Sequence, residues 1–191
     1  MKALILNSGM GTRMAPLTDR QPKCLTELSP GETILSRQLR LLADAGVEEA
    51  VVTTGPFPGL LEEYCGSLNL PLRYTFVRNP DYESTNYIHS IYLAREELED
   101  DLLLLHGDLV FESEVLRLSL ETEGSSVAVS STAPLPEKDF KAVVREGRVE
   151  KVGVEFFGHA QAAQPLYHLK KADWLLWLHR IVRFCEQGQR S

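Results

Sequence analysis

The chain has 191 residues, 43% of them hydrophobic and 25% charged, and a net charge of −7 at neutral pH. This suits one globular domain, residues 1–191, with a substantial core, and the acidic balance without a basic cluster argues against a nucleic-acid partner. Three widely spaced cysteines, Cys24, Cys65 and Cys185, suggest neither a zinc site nor a disulfide framework, and the N-terminus is too short for a signal peptide and no run is long enough to enter a membrane, so a reducing, cytoplasmic setting is expected.

The order of elements alternates strand and helix. Ala3–Leu6 is a short continuous apolar run, as expected of a buried parallel strand. Thr33 to Ala45 carries apolar residues at helical spacing and ends at Gly46, a good helix stop. Glu49–Thr54 is expected to be a strand, Leu60–Ser67 a helix, and Leu72–Val77 a third strand. Asn86–Leu98 is predicted as a helix capped by Ser84, Thr85 or Asn86. Leu102–His106 is a strongly apolar strand, followed by a helix over Ser113–Leu120 and a strand over Ser126–Ser130. Val143–Glu146 and Arg148–Val152 flank Gly147 as a hairpin. Pro165–Leu169 is a further strand and Ala172–Gln187 the last helix. This alternation predicts an α/β fold: three layers, α/β/α, around a Rossmann-like, mostly parallel mixed sheet.

The opening segment carries the strongest chemical signal. After the first strand come Asn7-Ser8-Gly9-Met10-Gly11-Thr12-Arg13, then Pro16, Thr18, Pro22 and Lys23. Gly9 and Gly11 leave backbone N–H groups free to turn toward anionic oxygens. Arg13 offers a fork for phosphate and Lys23 a point charge, and with Arg20 they concentrate positive charge in an acidic chain. The pattern is neither a Walker loop, which needs Gly-Lys-Ser/Thr, nor a dinucleotide fingerprint, because Met14 stands where the third Gly belongs. For Lys23 the competing role is a surface ion pair.

Two more segments fall at strand ends, where open α/β sheets bind ligands. Asp108 follows Leu102–Gly107 and is placed to hold a hard cation, Mg²⁺, with help from substrate phosphates; its competing role is a helix cap. Asn79–Ser90 is rich in polar side chains, and Asn86 and Ser90 lie four apart on one helix face. The five histidines, His89, His106, His159, His168 and His179, show no metal-ligand spacing, though His106 stands two residues before Asp108.

These residues resemble the sugar-phosphate nucleotidyltransferase superfamily. Its opening pattern, Leu-x-x-Gly-x-Gly-Thr-Arg-x-x-Pro-x-Thr and then Pro-Lys, is met by Leu6, Gly9, Gly11, Thr12, Arg13, Pro16, Thr18, Pro22 and Lys23. Asn7-Ser8 stands where the family usually has Ala-Ala or Ala-Gly. Asn79, Pro80, Tyr82, Thr85, Asn86, Ser90 and Ala94 resemble the branch that transfers CMP to phosphocholine and related phosphoalcohols or phosphonates. Tyr87 and Ile91 depart from that branch's Asn and Leu. The resemblance implies attack of a phosphomonoester on the α-phosphate of CTP with release of pyrophosphate. It assigns Arg13, Lys23 and Asp108 to catalysis, Asp108 also to Mg²⁺, and Leu6, Asn7, Ser8, Gly9, Gly11, Thr12, Asn79, Asn86 and Ser90 to the nucleotide. A quaternary ammonium acceptor calls for aromatic faces, for which Tyr82, Tyr87, Tyr92, Phe156, Trp174 and Trp177 are available.

The family pattern also carries a second metal Asp beyond the last helix, and nothing like it precedes Ser191. The domain is therefore expected to be truncated, with Glu155 the one imaginable substitute and a partner chain, in a homo-oligomer, one way to cover the exposed edge. A hexose-1-phosphate nucleotidyltransferase and a nucleotide-binding module without catalysis are the competing readings.

Overall fold

A computed structural model describes residues 1–11 and 14–189. Among them, eight strands form one sheet. Its parallel half is β5 (Arg73–Arg78), β4 (Glu49–Thr54), β1 (Lys2–Asn7) and β6 (Leu102–His106), in that spatial order. The other half is antiparallel: β10 (Ala160–Leu169) lies against β6, β7 (Ser126–Ser130) and β8 (Lys141–Arg145), and β8 pairs with β9 (Arg148–Gly153).

Helices cover both faces of the parallel half, which is why its strands read as unbroken apolar runs. Along β1 the side chains alternate, as pleating requires. Ala3 and Ile5 join the core under α1 (Ile34–Asp44), α2 (Pro58–Ser67) and α4 (Ser113–Glu121). Leu4 joins the opposite core, with Leu102 and Leu104, under α3 (Tyr87–Leu93) and α5 (Lys171–Glu186). The three-layer α/β/α expectation and the mostly parallel mixed sheet are therefore found.

Local chemistry explains the boundaries. Thr33 and Ser36 form a reciprocal capping box at the start of α1, and Gly46 (φ +80°) follows its end. The β8–β9 turn has positive φ at both Glu146 and Gly147, the geometry that matches strand twist in a two-residue hairpin.

Two expectations need correction, and one element was not foreseen. The helix expected over Asn86–Leu98 ends at Leu93, and Arg95–Glu97 is a separate 3₁₀ turn. The strand expected to begin at Pro165 begins at Ala160; Pro165 lies inside a register shift between Ala163 and Tyr167, where its missing N–H is tolerated. A small hairpin of β2 (Glu27–Ser29) and β3 (Glu32–Thr33) was not expected, although Pro30-Gly31 signals its turn.

Candidate functional site

The carboxyl ends of the four parallel strands share one edge of the sheet, because the register pairs Leu6 with both Thr53 and His106. Backbone bonds carry the ladders one step further: Gly107 N–H donates to Leu6 O at 3.0 Å and Asn79 N–H to Thr54 O at 2.8 Å. Asn7, Asn79 and Gly107 thus meet at one place, where a cavity of about 280 Å³ opens. Leu6, Asn7, Ser8, Gly9, Gly11 and Lys23 line it from the opening loop. Asn79, Asn86, Ser90 and Asp108 line it from the other two segments. Thr12 and Arg13 lie outside the described residues.

The opening loop is held in shape by its own motif. Gly11 has φ +65°, and a Cβ there would stand 3.1 Å from Thr18 Cγ2. Thr18 is buried, and its hydroxyl donates to Gly11 O at 3.0 Å. Gly55 supports the loop from β4: a Cβ there would fall 2.3 Å from the Ser8 carbonyl oxygen. Asn7 N–H donates to Thr53 Oγ1 at 3.0 Å, and the Asn7 side chain lies over Gly107, where a Cβ would fall 1.5 Å from Asn7 Oδ1. Glycine at 55 and 107 is thus required by close approach and not by φ.

Lys23 opens a 3₁₀ turn whose next two residues, Cys24 and Leu25, are buried in the core. That anchor aims Lys23 across the cavity, where Nζ donates to Asp108 Oδ2 at 2.5 Å. Burial pushes the Asp108 carboxyl up, but the bond and charge of Lys23, with His106 nearby, outweigh it and hold the group below its ordinary value. Burial also pulls His106 below its usual pKa. The turn that presents Asp108 is clamped by buried Gln38, whose Nε2 donates to His106 O at 2.9 Å and to Leu109 O at 2.7 Å. Sequence reasoning missed Gln38, since a glutamine on a helix gives no hint of a bond to a turn far along the chain.

Asn79 is almost fully enclosed. Its Nδ2 donates to Thr85 Oγ1 at 2.9 Å and Ser90 Oγ at 3.0 Å, and its Oδ1 accepts from Asp81 N–H at 3.0 Å. Ser90 in turn donates to Ser8 Oγ at 2.9 Å. Asn86 caps α3 by accepting from Ile88 N–H at 2.9 Å.

Of the six candidate aromatics, Tyr82 and Tyr87 line the cavity. Tyr87 faces the His106 ring at 5.6 Å between centroids, and burial raises its hydroxyl pKa. Trp174 is core, donating Nε1–H to Leu98 O at 3.0 Å. Tyr92 stacks on His89 and under Arg95, Phe156 meets Lys151, and Trp177 meets Tyr167 and Trp174. Met14, Thr85 and His106 complete the lining.

The carboxylate among the cavity's described lining residues is Asp108. Glu155 does not line it: its carboxylate folds back onto Gly153. Among the described residues no group of three His, Cys, Asp or Glu is gathered to cage a metal. A single carboxylate on the cavity wall is a donor that suits Mg²⁺, which commonly keeps its waters and takes one or two carboxylates with substrate phosphates.

Comparisons with known proteins give the family of the chain. Residues 3–178 match the sequence profile of the MobA-like NTP transferase domain. A CMP-5'-(3-aminopropyl)phosphonate synthase from Streptomyces rubellomurinus is 40% identical over 131 residues, covering 68% of this chain and 21% of that protein. A CTP:phosphoglutamine cytidylyltransferase from Campylobacter jejuni is 31% identical over 117 residues, covering 58% of this chain and 45% of that protein. The chain thus spans less than half the length of these curated relatives. Among solved structures, the inositol-1-phosphate CTP transferase from T. maritima superposes with a TM-score of 0.77 at 23% identity, over 99% of this chain and 82% of that one. That likeness speaks for the fold. Among the described residues no helix is long and apolar enough to cross a membrane.

Proposed function

We propose that this chain, which belongs to the MobA-like NTP transferase domain family, moves CMP from CTP to a small phosphoalcohol or phosphonate and releases pyrophosphate. The observation that carries the reading is the convergence of three separate segments on one cavity: the glycine loop with Lys23, the Asn79–Ser90 segment, and Asp108. The names borne by the relatives from Streptomyces and Campylobacter support CTP as the donor and a small phosphonate or phosphate ester as the acceptor.

The chemistry follows from charge. An acceptor phosphate or phosphonate oxygen, already anionic, attacks the α-phosphorus of CTP, and the α–β anhydride bond breaks with its electrons leaving on pyrophosphate. No proton must be removed from the nucleophile, so the protein's work is neutralisation and in-line positioning. Lys23 draws negative charge from the triphosphate, and Arg13 is proposed as a second clamp. Asp108 would hold Mg²⁺, which would supply positive charge against the phosphate groups. Gly9 and Gly11 let the loop backbone approach the phosphates.

The test is pyrophosphate release by the purified chain with Mg²⁺, across CTP, UTP, GTP and ATP, each with phosphocholine, an aminoalkylphosphonate or glucose 1-phosphate. Release with CTP and a non-sugar acceptor is the expected outcome. Preference for glucose 1-phosphate with another NTP overturns the acceptor assignment in favour of a hexose-1-phosphate enzyme.

A further inference from the structure

Resting on that nucleotide-site reading, we infer that Ser8 is a one-way hydrogen-bond donor to the nucleotide, and that Asn79 sets its direction through Ser90. The direction of the relay is fixed atom by atom. Thr85 Oγ1 donates to Asp81 O at 2.8 Å, so toward Asn79 it accepts, and Asn79 must offer its NH₂ there. Asp81 N–H donates to the other end of the Asn79 amide, which must therefore be the oxygen. With the amide so oriented, its second N–H goes to Ser90 Oγ. Ser90 then turns its own proton to Ser8 Oγ, 2.9 Å away.

Ser8 Oγ has now accepted a bond and still carries a proton. Among the described residues none accepts it, and Ser8 lines the cavity while being 8% exposed. A hydroxyl polarised by such a chain is a better donor than one free to rotate. The ligand atom that meets it must be an acceptor: a base carbonyl or ring nitrogen, or a phosphate oxygen. The loop backbone gives the hydroxyl a fixed origin, since Gly55 abuts the Ser8 carbonyl. Ser8 is thus a specificity-determining residue, whereas Asn79 and Ser90, which border the cavity but spend their polar atoms within the relay, are positioning residues.

The experiment is calorimetric binding of CTP and of CMP to the wild-type chain, Ser8→Ala, Asn79→Asp and the double variant, with melting temperatures of each. Ser8→Ala is expected to bind CTP about tenfold more weakly with an unchanged melting temperature. Asp at 79 accepts where Asn donates, so Ser90 turns its proton to it and the relay reverses. Asn79→Asp alone should therefore cost at least as much as Ser8→Ala, the excess being repulsion between the new carboxylate and the phosphates, and only that excess should remain in the Ser8→Ala background. If Asn79→Asp does not fold, Ser90→Ala takes its place in the same cycle. A loss shared by CMP assigns the acceptor atom to the nucleoside monophosphate part, and a loss confined to CTP assigns it to the outer phosphates. Ser8→Ala binding within twofold of wild type overturns the inference, and so do fully additive losses in the double variant. Failure of the wild-type chain to bind any nucleoside triphosphate removes the nucleotide-site reading itself, and the inference with it.

Discussion

Lys23 Nζ and Asp108 Oδ2 stand 2.5 Å apart across the cavity, so the described cation and carboxylate of the site neutralise each other. The pair is about one-third exposed at Lys23 and two-fifths at Asp108, so water and salt screen it and it adds little to stability. On the proposed function, a triphosphate would compete for the lysine and free the carboxylate for a cation. Lys23→Ala is expected to lower CTP-dependent pyrophosphate release at least about 100-fold while the melting temperature barely moves. Steady-state rates beside thermal melts check this, and unchanged turnover removes Lys23 from the mechanism.

Glycine at 55 and 107 is expected to differ in tolerance. A Cβ at Gly55 meets the backbone carbonyl of Ser8, which cannot step aside without moving the loop, whereas a Cβ at Gly107 meets the Asn7 side chain. Gly55→Ala should therefore destabilise the chain and weaken CTP binding together. Gly107→Ala should be substantially rescued by adding Asn7→Ala. Urea melts of the single and double variants read out both effects.

Gln38→Leu keeps the volume of a buried side chain but takes the amide donor from Leu109 O and from His106 O, which keeps its bond from Leu109 N–H at 3.1 Å. The expected cost is about 1–3 kcal/mol by chemical denaturation. Because the clamped turn presents Asp108, turnover should fall even at temperatures where the variant is fully folded.

Asp101 fastens the start of α5: it accepts from Lys171 N–H at 2.7 Å and from Lys170 Nζ at 3.3 Å. These bonds hold its carboxyl below the ordinary 3.8. Below that value the unfolded chain takes up the proton first, so the stabilisation is full at neutral pH and is lost as pH falls through the folded pKa. Asp101→Asn should be less stable than wild type at pH 7, and the gap should close in strong acid. A gap that stays constant with pH assigns the effect to shape and not to charge.

Much of this was legible in the sequence, for physical reasons. Ala3–Leu6 and Leu102–His106 announce themselves because both faces of their strands are buried. The glycine loop, Asn79–Ser90 and Asp108 stood out because glycines, charges and amides cluster at strand ends, and all three border one cavity. What escaped was set by tertiary contact. Gln38 reaches a turn 68 residues on, and nothing in its neighbours says so. Pro165 reads locally as a strand boundary, yet a bulge accommodates it inside β10. Asn79 and Ser90 read as ligand contacts, and both line the cavity; what the sequence does not show is that their polar atoms also bond each other and Ser8, Thr85 and Asp81.

The most direct measurement follows labelled CMP from CTP into an acceptor. The purified chain is incubated with CTP labelled at the α-phosphate, Mg²⁺ and either an aminoalkylphosphonate or phosphocholine, and the products are separated. The expected result is label in a CMP–acceptor ester, formed in step with pyrophosphate and abolished by Lys23→Ala. CTP that binds yet stays unconsumed with every acceptor contradicts transfer and leaves a nucleotide-binding module in its place.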